Sequence, residues 1–348
     1  MTQTKAIRVG IIGLGKMGCL RAEELSQRED VALVRVYDPA PEAFQQRWPQ
    51  IPCAMNAEAV IDSDVDVVFV CVPNALVADT VIAALDAGKH VFAEKPPGCT
   101  VADVERIRAA EARHPELKLA FGFNHRFHAG IQEAHRIAQG GRLGDLLWIR
   151  GVYGKSDVGA AWRADKSLAG GGILLDQGVH MLDLVRMFMG DPVEVKSMVT
   201  AAHWDVGVED NAFALLRNAQ GHIAQVHSSS TQWKHRFSFE VYLSKGYLSV
   251  DGILTSSRSY GDETLTIARK GTEDSAGGQP PAEETVYFDE DPSWAAELDA
   301  FLGAVQNDTP VKSGNSEQAL RAMELVYAIY QDDPTFMASP AAPNRPTP

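Results

Sequence analysis

Cysteine is scarce: Cys19, Cys53, Cys71 and Cys99 are the only four in 348 residues, and none are paired as CxxC. A disulfide framework is not expected, and free, reduced thiols suit the cytoplasm. Long apolar runs are missing as well, so no segment reads as a membrane span. The apolar stretch after Lys5 and Arg8 has the look of a secretory leader, but Gly10, Gly13 and Gly15 break it. Positive charge is in deficit, with 32 Lys and Arg against 46 Asp and Glu and a net charge of −14. Such a surface repels phosphate backbones and anionic lipids, which argues against nucleic acid or membrane as partners. A small anionic substrate would need cations gathered locally. Internal repeats are absent too. What remains is an ordinary globular composition, 45% hydrophobic and 8% aromatic. Its length exceeds the ~250–300 residues that one core usually serves, so two domains are expected.

The first third alternates two patterns. Ala6 to Ile12, Ala32 to Tyr37, Val65 to Val72, His90 to Ala93 and Leu117 to Phe123 read as buried strands, with helices between them over 16–27, 75–87 and 101–112. That order predicts a doubly wound parallel sheet, a Rossmann domain over residues 1–124. Beyond it, strands are expected over 146–153, 193–202, 211–216, 222–229, 237–243 and 247–250, several joined by hairpin turns. With helices over 131–140 and 173–189, residues 125–331 predict an α+β domain with a large, open, mostly antiparallel sheet. Gly271 to Thr285 reads as a mobile excursion. Leu298, Phe301, Leu302 and Val305 form one apolar helical stripe, and Leu320, Met323, Tyr327 and Tyr330 another. Residues 332–348 are expected to be a flexible tail.

Gly13-Leu14-Gly15-Lys16-Met17-Gly18 fits GxGxxG, a weak pattern alone but here placed between a strand and a helix. The first glycine allows the tight turn, the second lets a pyrophosphate approach, and the third lets helix and strand pack. Phosphate would be held by free N–H groups at the helix start, beside Lys16 and Met17. Asp38 ends the second strand, 20 residues after Gly18, where an acid bonds ribose hydroxyls. A 2′-phosphate there would meet a carboxylate, and Pro39-Ala40-Pro41 offers no cation. NAD is therefore favoured over NADP, although Arg35 and Arg47 lie near in sequence. Pro73 and Asn74 sit at the carboxyl edge of a strand, where Asn74 is either a cofactor contact or a turn residue.

Glu94-Lys95-Pro96 ends another strand, which puts a lysine at the nicotinamide crevice. Within Gly170-Gly171-Gly172-Ile173-Leu174-Leu175-Asp176-Gln177-Gly178-Val179-His180, Asp176 and His180 are four apart and should share a helix face, with Asp183 extending the stripe. A histidine beside a carboxylate suits proton transfer on an alcohol. It is equally an ordinary surface pair, but the glycine triplet beside it lets a ligand approach the backbone. His125 and His128 stand three apart, yet no metal-ligand set of known geometry emerges.

Together, GLGKMG, the strand-end EKP and GGGILLDQGVH resemble the glucose–fructose oxidoreductase and inositol dehydrogenase family, Gfo/Idh/MocA, over nearly the whole chain. The resemblance implies an NAD-dependent dehydrogenase or reductase acting on a sugar, cyclitol or nucleotide sugar, and a homo-oligomer, dimer or tetramer, built through the open sheet. In it Lys95 polarises the substrate hydroxyl, His180 exchanges its proton, and Asp176 holds substrate and tunes the histidine. The segment Gly122-Phe123-Asn124-His125-Arg126-Phe127 is similar to the family's stretch at the domain junction, making Asn124 and Arg126 candidate site residues, with a structural pair between the domains an equal reading of Arg126. Pro97-Gly98 after EKP departs from the family's usual leucine. The second half resembles oxidoreductases of surface-polysaccharide and nucleotide-sugar biosynthesis. There Lys155, Trp162, Arg163 and Lys166 flank the glycine triplet and would either meet a diphosphate or carboxylate or form a solvated loop. Two other readings stand beside this one: an NAD-binding ligand sensor without turnover, and an enzyme that keeps NAD bound and recycles it in place, as glycosidase- or epimerase-like relatives do.

Overall fold

The computed structural model describes residues 6–255, 257–270 and 281–343. Five short strands make the first sheet: β1 (Ile7–Ile12), β2 (Val31–Tyr37), β3 (Val67–Val70), β4 (His90–Ala93) and β5 (Leu119–Phe121). All pair in parallel in the order β2-β1-β3-β4-β5. Val67, Val68, Phe69 and Val70 are fully buried, which is why β3 reads as a continuous apolar run: helices cover both faces of the sheet. The order reverses between β1 and β3, and that switch point opens a crevice at their carboxyl ends.

Eight strands make the second sheet: β6 (Leu146–Gly154), β7 (Pro192–Thr200), β8 (Asn211–Asn218), β9 (Ile223–Ser229), β10 (Arg236–Leu243), β11 (Gly246–Asp251), β12 (Glu263–Arg269) and β13 (Ala282–Phe288). Their order is β13-β12-β11-β10-β6-β9-β8-β7, antiparallel throughout except where β6 meets β9. One face packs on the helix Val179–Met189, whose Met181, Leu182, Leu184 and Val185 are buried. The other is open. Met198, Phe213, Leu215 and Ile223 are exposed on it, Phe213 stacks on His227, and Trp148 stacks on Tyr242.

Four expectations need correction. Helix Ser293–Gln306, assigned by sequence to the second domain, returns to the first: Leu298, Phe301 and Leu302 share a core with Val9, Phe69 and Phe92. Phe301 sets its ring edge against Phe92 at 5.4 Å. The excursion expected over 271–285 ends in strand, because 282–285 belong to β13, while 271–280 lie outside the described residues. The tail expected to be loose is packed as far as it is described. Asp333 caps a short helix, Pro334–Met337, and Phe336, Ala341 and Ala342 are buried. The helix expected over 173–189 is present and unbroken, and only its geometry needs correction: Leu174–Gly178 is a wide π turn leading into Val179–Met189.

Candidate active site

The glycine-rich turn shows why each glycine is needed. Gly13 has φ of 93°, and a Cβ on it would lie 2.3 Å from the Cys71 carbonyl oxygen; one on Gly18 would lie 1.9 Å from the Gly13 oxygen. A Cβ on Gly15 would meet no protein atom within 4 Å. Packing does not explain that glycine, whereas a ligand lying against the backbone does. Gly15 caps helix Lys16–Ser26 without a side-chain hydrogen bond or an acid in the first turn, so the leading N–H groups remain available to an anion. These features fit a dinucleotide pyrophosphate. Asp38 accepts from the Leu14 N–H (2.7 Å) and the Ala40 N–H (2.8 Å), which fixes its carboxylate at the end of β2. Arg47 is engaged by Glu23 and lies over Trp48.

A cleft of about 710 Å³ follows the crevice, lined by Gly13, Gly15, Lys16, Met17, Asp38, Pro73, Asn74, Glu94, Lys95, Trp162 and Arg163 among others. Gly18 lies beneath it. A narrow inner cavity adjoins, lined by Asn74, Lys155, Trp162, Arg163, Gly171, Gly172, Asp176, Glu209 and Ser230 among others. Lys95 joins the two spaces. Its Nζ donates to the Asp176 carbonyl oxygen (2.5 Å) and carboxylate Oδ1 (3.3 Å). Lys155 Nζ reaches Oδ2 of the same carboxylate at 3.0 Å and Arg163 Nε reaches Oδ1 at 3.2 Å. Burial opposes ionisation of Asp176, but Lys95, Lys155 and Arg163 outweigh it and hold the carboxyl well below its usual range. Burial lowers the Lys95 ammonium's pKa, against the pull of Asp176.

His180 is buried behind this cluster and lines neither space. Among the described residues it makes no hydrogen bond to Asp176: the wide π turn carries the carboxylate toward the cations instead, which corrects the expected Asp–His pair. Its Nδ1 has no partner, and burial, then the Lys95 charge, push its pKa well below 6.5. A ring held neutral in this way can take up a proton. His125, which sequence reading left without a role, lies flat on it with centroids 3.8 Å apart and planes 18° off parallel. Asn124 holds His125 through Oδ1 and Nδ1 at 3.1 Å, and its own Nδ2 reaches Ser293 Oγ at 3.3 Å. Asn124 therefore supports the site from behind rather than lining it.

Of its two readings, site residue or structural pair, Arg126 takes the second. Its Nε and Nη2 both donate to the Asp183 carboxylate at 2.6 Å, and the pair is buried away from both spaces. Asp183 thus belongs to a structural ion pair and not to a catalytic stripe. Sequence reading also overlooked Glu209 as a support. Its carboxylate accepts from the Gly172 and Leu174 N–H groups (2.7 and 3.0 Å) and from Tyr330 (2.6 Å), tying the glycine triplet to the last long helix. Arg21 was likewise missed; it binds Glu94 at 2.7 Å and Glu297 at 2.6 Å and lies over Phe92. One signal was available, since helical spacing puts Arg21 on the same face as Gly18 and Leu25, the side that packs on the sheet. All four cysteines are free; burial pushes the Cys19, Cys71 and Cys99 thiols up, Cys99 to about 12. Among the described residues, no three His, Cys, Asp or Glu side chains gather as metal ligands, and no helix is long and apolar enough to cross a membrane. His128 is held by Glu263 at 2.8 Å.

A glycine-rich crevice that joins a lysine–aspartate cavity beneath an open sheet defines a two-domain, dinucleotide-binding oxidoreductase. The chain belongs to the Gfo/Idh/MocA family: residues 7–123 match the model for the oxidoreductase family with an NAD-binding Rossmann fold, and residues 131–249 match the GFO/IDH/MocA C-terminal domain. The chain is 27% identical to inositol 2-dehydrogenase of Rhizobium meliloti, over 91% of its own length and 94% of that protein. It is 28% identical to dTDP-3,4-didehydro-2,6-dideoxy-alpha-D-glucose 3-reductase of Saccharopolyspora spinosa, over 94% and 97%. Aldose-aldose oxidoreductase from Caulobacter crescentus, solved with glycerol, superposes with a TM-score of 0.81 at 26% identity, covering 94% of this chain and 97% of that one.

Proposed function

We propose that the chain is an NAD-dependent dehydrogenase, or in reverse a reductase, acting on a hydroxyl-bearing carbon of a sugar, cyclitol or nucleotide sugar. The observation that carries this reading is the contact between Lys95, which lines the cofactor cleft, and Asp176, which lines the inner cavity. A substrate hydroxyl placed there lies between a cation and the crevice. When bound, the nicotinamide supplies a hydride acceptor at its C4. Lys95 draws electron density from the substrate oxygen while that oxygen loses its proton and the C–H bond gives up its hydride. His180 lines neither space, so the proton passes inward past Lys95 to this neutral ring behind it, and C–OH becomes C=O. Asp176 keeps Lys95 charged and in place. The relatives' names, inositol dehydrogenase and dTDP-sugar reductase, support a polyol or sugar substrate. Asp38 supports NAD over NADP, because a 2′-phosphate would face its carboxylate. The open apolar sheet face supports a homo-oligomer.

The test is to mix the protein with NAD or NADP and a panel of sugars, inositols and nucleotide sugars while following nicotinamide absorbance. A rise with NAD and one substrate is expected. A flat trace with every substrate, while NAD binding stays intact, would sink the proposal in favour of a sensor or an internally recycled cofactor.

A further inference from the structure

An excess of cations surrounds one carboxylate in the inner cavity, in a chain whose net charge is −14. Lys155, Lys95 and Arg163 all reach Asp176, at 3.0, 3.3 and 3.2 Å, with side chains only 10, 16 and 29% exposed. Asp176 offsets one of these three positive charges. Glu209, the other acid in the wall, has its oxygens taken by two backbone N–H groups and a tyrosine hydroxyl. Glu94, next to Lys95, is bound by Arg21. Donor capacity is in surplus as well. Among the described residues, Lys155 Nζ makes one hydrogen bond, and the Arg163 side chain makes one through Nε.

We infer that the substrate carries an anionic oxygen group, a carboxylate on the sugar or a phosphate attached to it, which Lys155 and Arg163 neutralise, and that neutral sugars are selected against. This rests on the dehydrogenase reading above. A neutral sugar would displace water from two poorly exposed cations and give them no counter-charge, a cost that works as rejection. An anionic group would meet both the planar fork of Arg163 and the point charge of Lys155. Lys155 lines only the inner cavity, whereas Arg163 also borders the cofactor cleft, so Lys155 is the residue that reports on substrate alone.

Calorimetry on the NADH-saturated protein, in which a substrate hydroxyl has no hydride acceptor, tests this at fixed ionic strength with glucose, myo-inositol, glucuronate, glucose 1-phosphate and UDP-glucose. At least one anionic sugar is expected to bind tenfold or more tightly than its neutral counterpart. Glucuronate alone would assign a carboxylate, and the phosphorylated compounds alone a phosphate. Lys155→Met should abolish the preference and Lys155→Arg should retain it, whereas a merely structural lysine would weaken neutral and anionic sugars alike. Neutral sugars binding as tightly, no anionic sugar binding, or a preference unmoved in Lys155→Met would each overturn the inference. Because binding is read without turnover, selective binding of an anion with no NADH formed when NAD replaces NADH would defeat the dehydrogenase reading and leave the charge inference standing.

Discussion

Lys95 must stay charged in a poorly solvated place, and Asp176 is what makes that tenable. Burial lowers the ammonium's pKa while the carboxylate 3.3 Å away resists. Removing Lys95 or His180 should lower kcat by roughly 10²–10⁴-fold, the usual range for positioned acid–base groups. NAD affinity should hardly move, as titration followed by calorimetry would show; unchanged kcat in both Lys95→Ala and His180→Ala would refute their roles. The pH dependence has a definite sign. His180 is depressed well below 6.5, so it is neutral at pH 7 and loses its capacity as base only on acidification through that lowered value. The acid limb of kcat/KM for oxidation should therefore fall below pH 6.5, and a midpoint above it would contradict the burial argument. Arg126 carries a different expectation. Asp183→Ala would strand its buried guanidinium and cost roughly 3–5 kcal/mol in urea unfolding, with KM little changed if the folded fraction is assayed. Lys95, Asp176 and the glycines were legible in sequence because motif spacing encodes strand ends and helix starts. Arg126 was not, since a motif does not say whether an arginine faces a ligand or a carboxylate 57 residues away.

At the level of elements, helix Ser293–Gln306 brings Glu297 into a buried cluster with Arg21 and Glu94. Burial raises Glu297 from 4.5 to about 7, with Arg21 opposing and Glu94 adding to the rise. A raised carboxyl favours the fold fully below the unfolded value and loses that contribution as pH climbs through the folded one. Across that window the loss amounts to roughly 3–4 kcal/mol at most, at about 1.4 kcal/mol per pH unit. Glu297→Gln mimics the protonated form and should gain on the parent protein between pH 5 and pH 8; urea midpoints that fall in parallel would contradict it. The apolar stripe of this helix was readable in sequence, but its destination was not, because periodicity marks a buried face without naming the surface that covers it. The π turn was invisible for a related reason: Leu174 to Gly178 keeps a helical pattern, and one extra residue in a turn leaves no compositional trace. Strand β13 was missed because it is an edge strand and opens on two adjacent exposed acids, Glu283 and Glu284, in place of an alternating pattern.

For the whole molecule, the open face of the second sheet sets the next expectation. Met198, Phe213, Leu215 and Ile223 lie exposed on strands β7, β8 and β9, which neighbour one another. Sedimentation should report a dimer or tetramer, and Phe213→Glu with Met198→Glu should shift it toward monomer; a parent protein that sediments as a monomer at high concentration would defeat this. The division into a parallel and an antiparallel half was legible because strand spacing and turn residues change near residue 124. The return of helix Ser293–Gln306 across that division has a consequence for how such chains are recombined. A chimera that takes residues 1–124 from one relative and the remainder from another would set Phe69 and Phe92 against a foreign Phe301, and the Arg21 charge against a foreign acid. The nucleotide-binding half is therefore not a cassette. Cofactor preference in this lineage is more readily altered by substitutions around Asp38 than by exchange of the half that contains it.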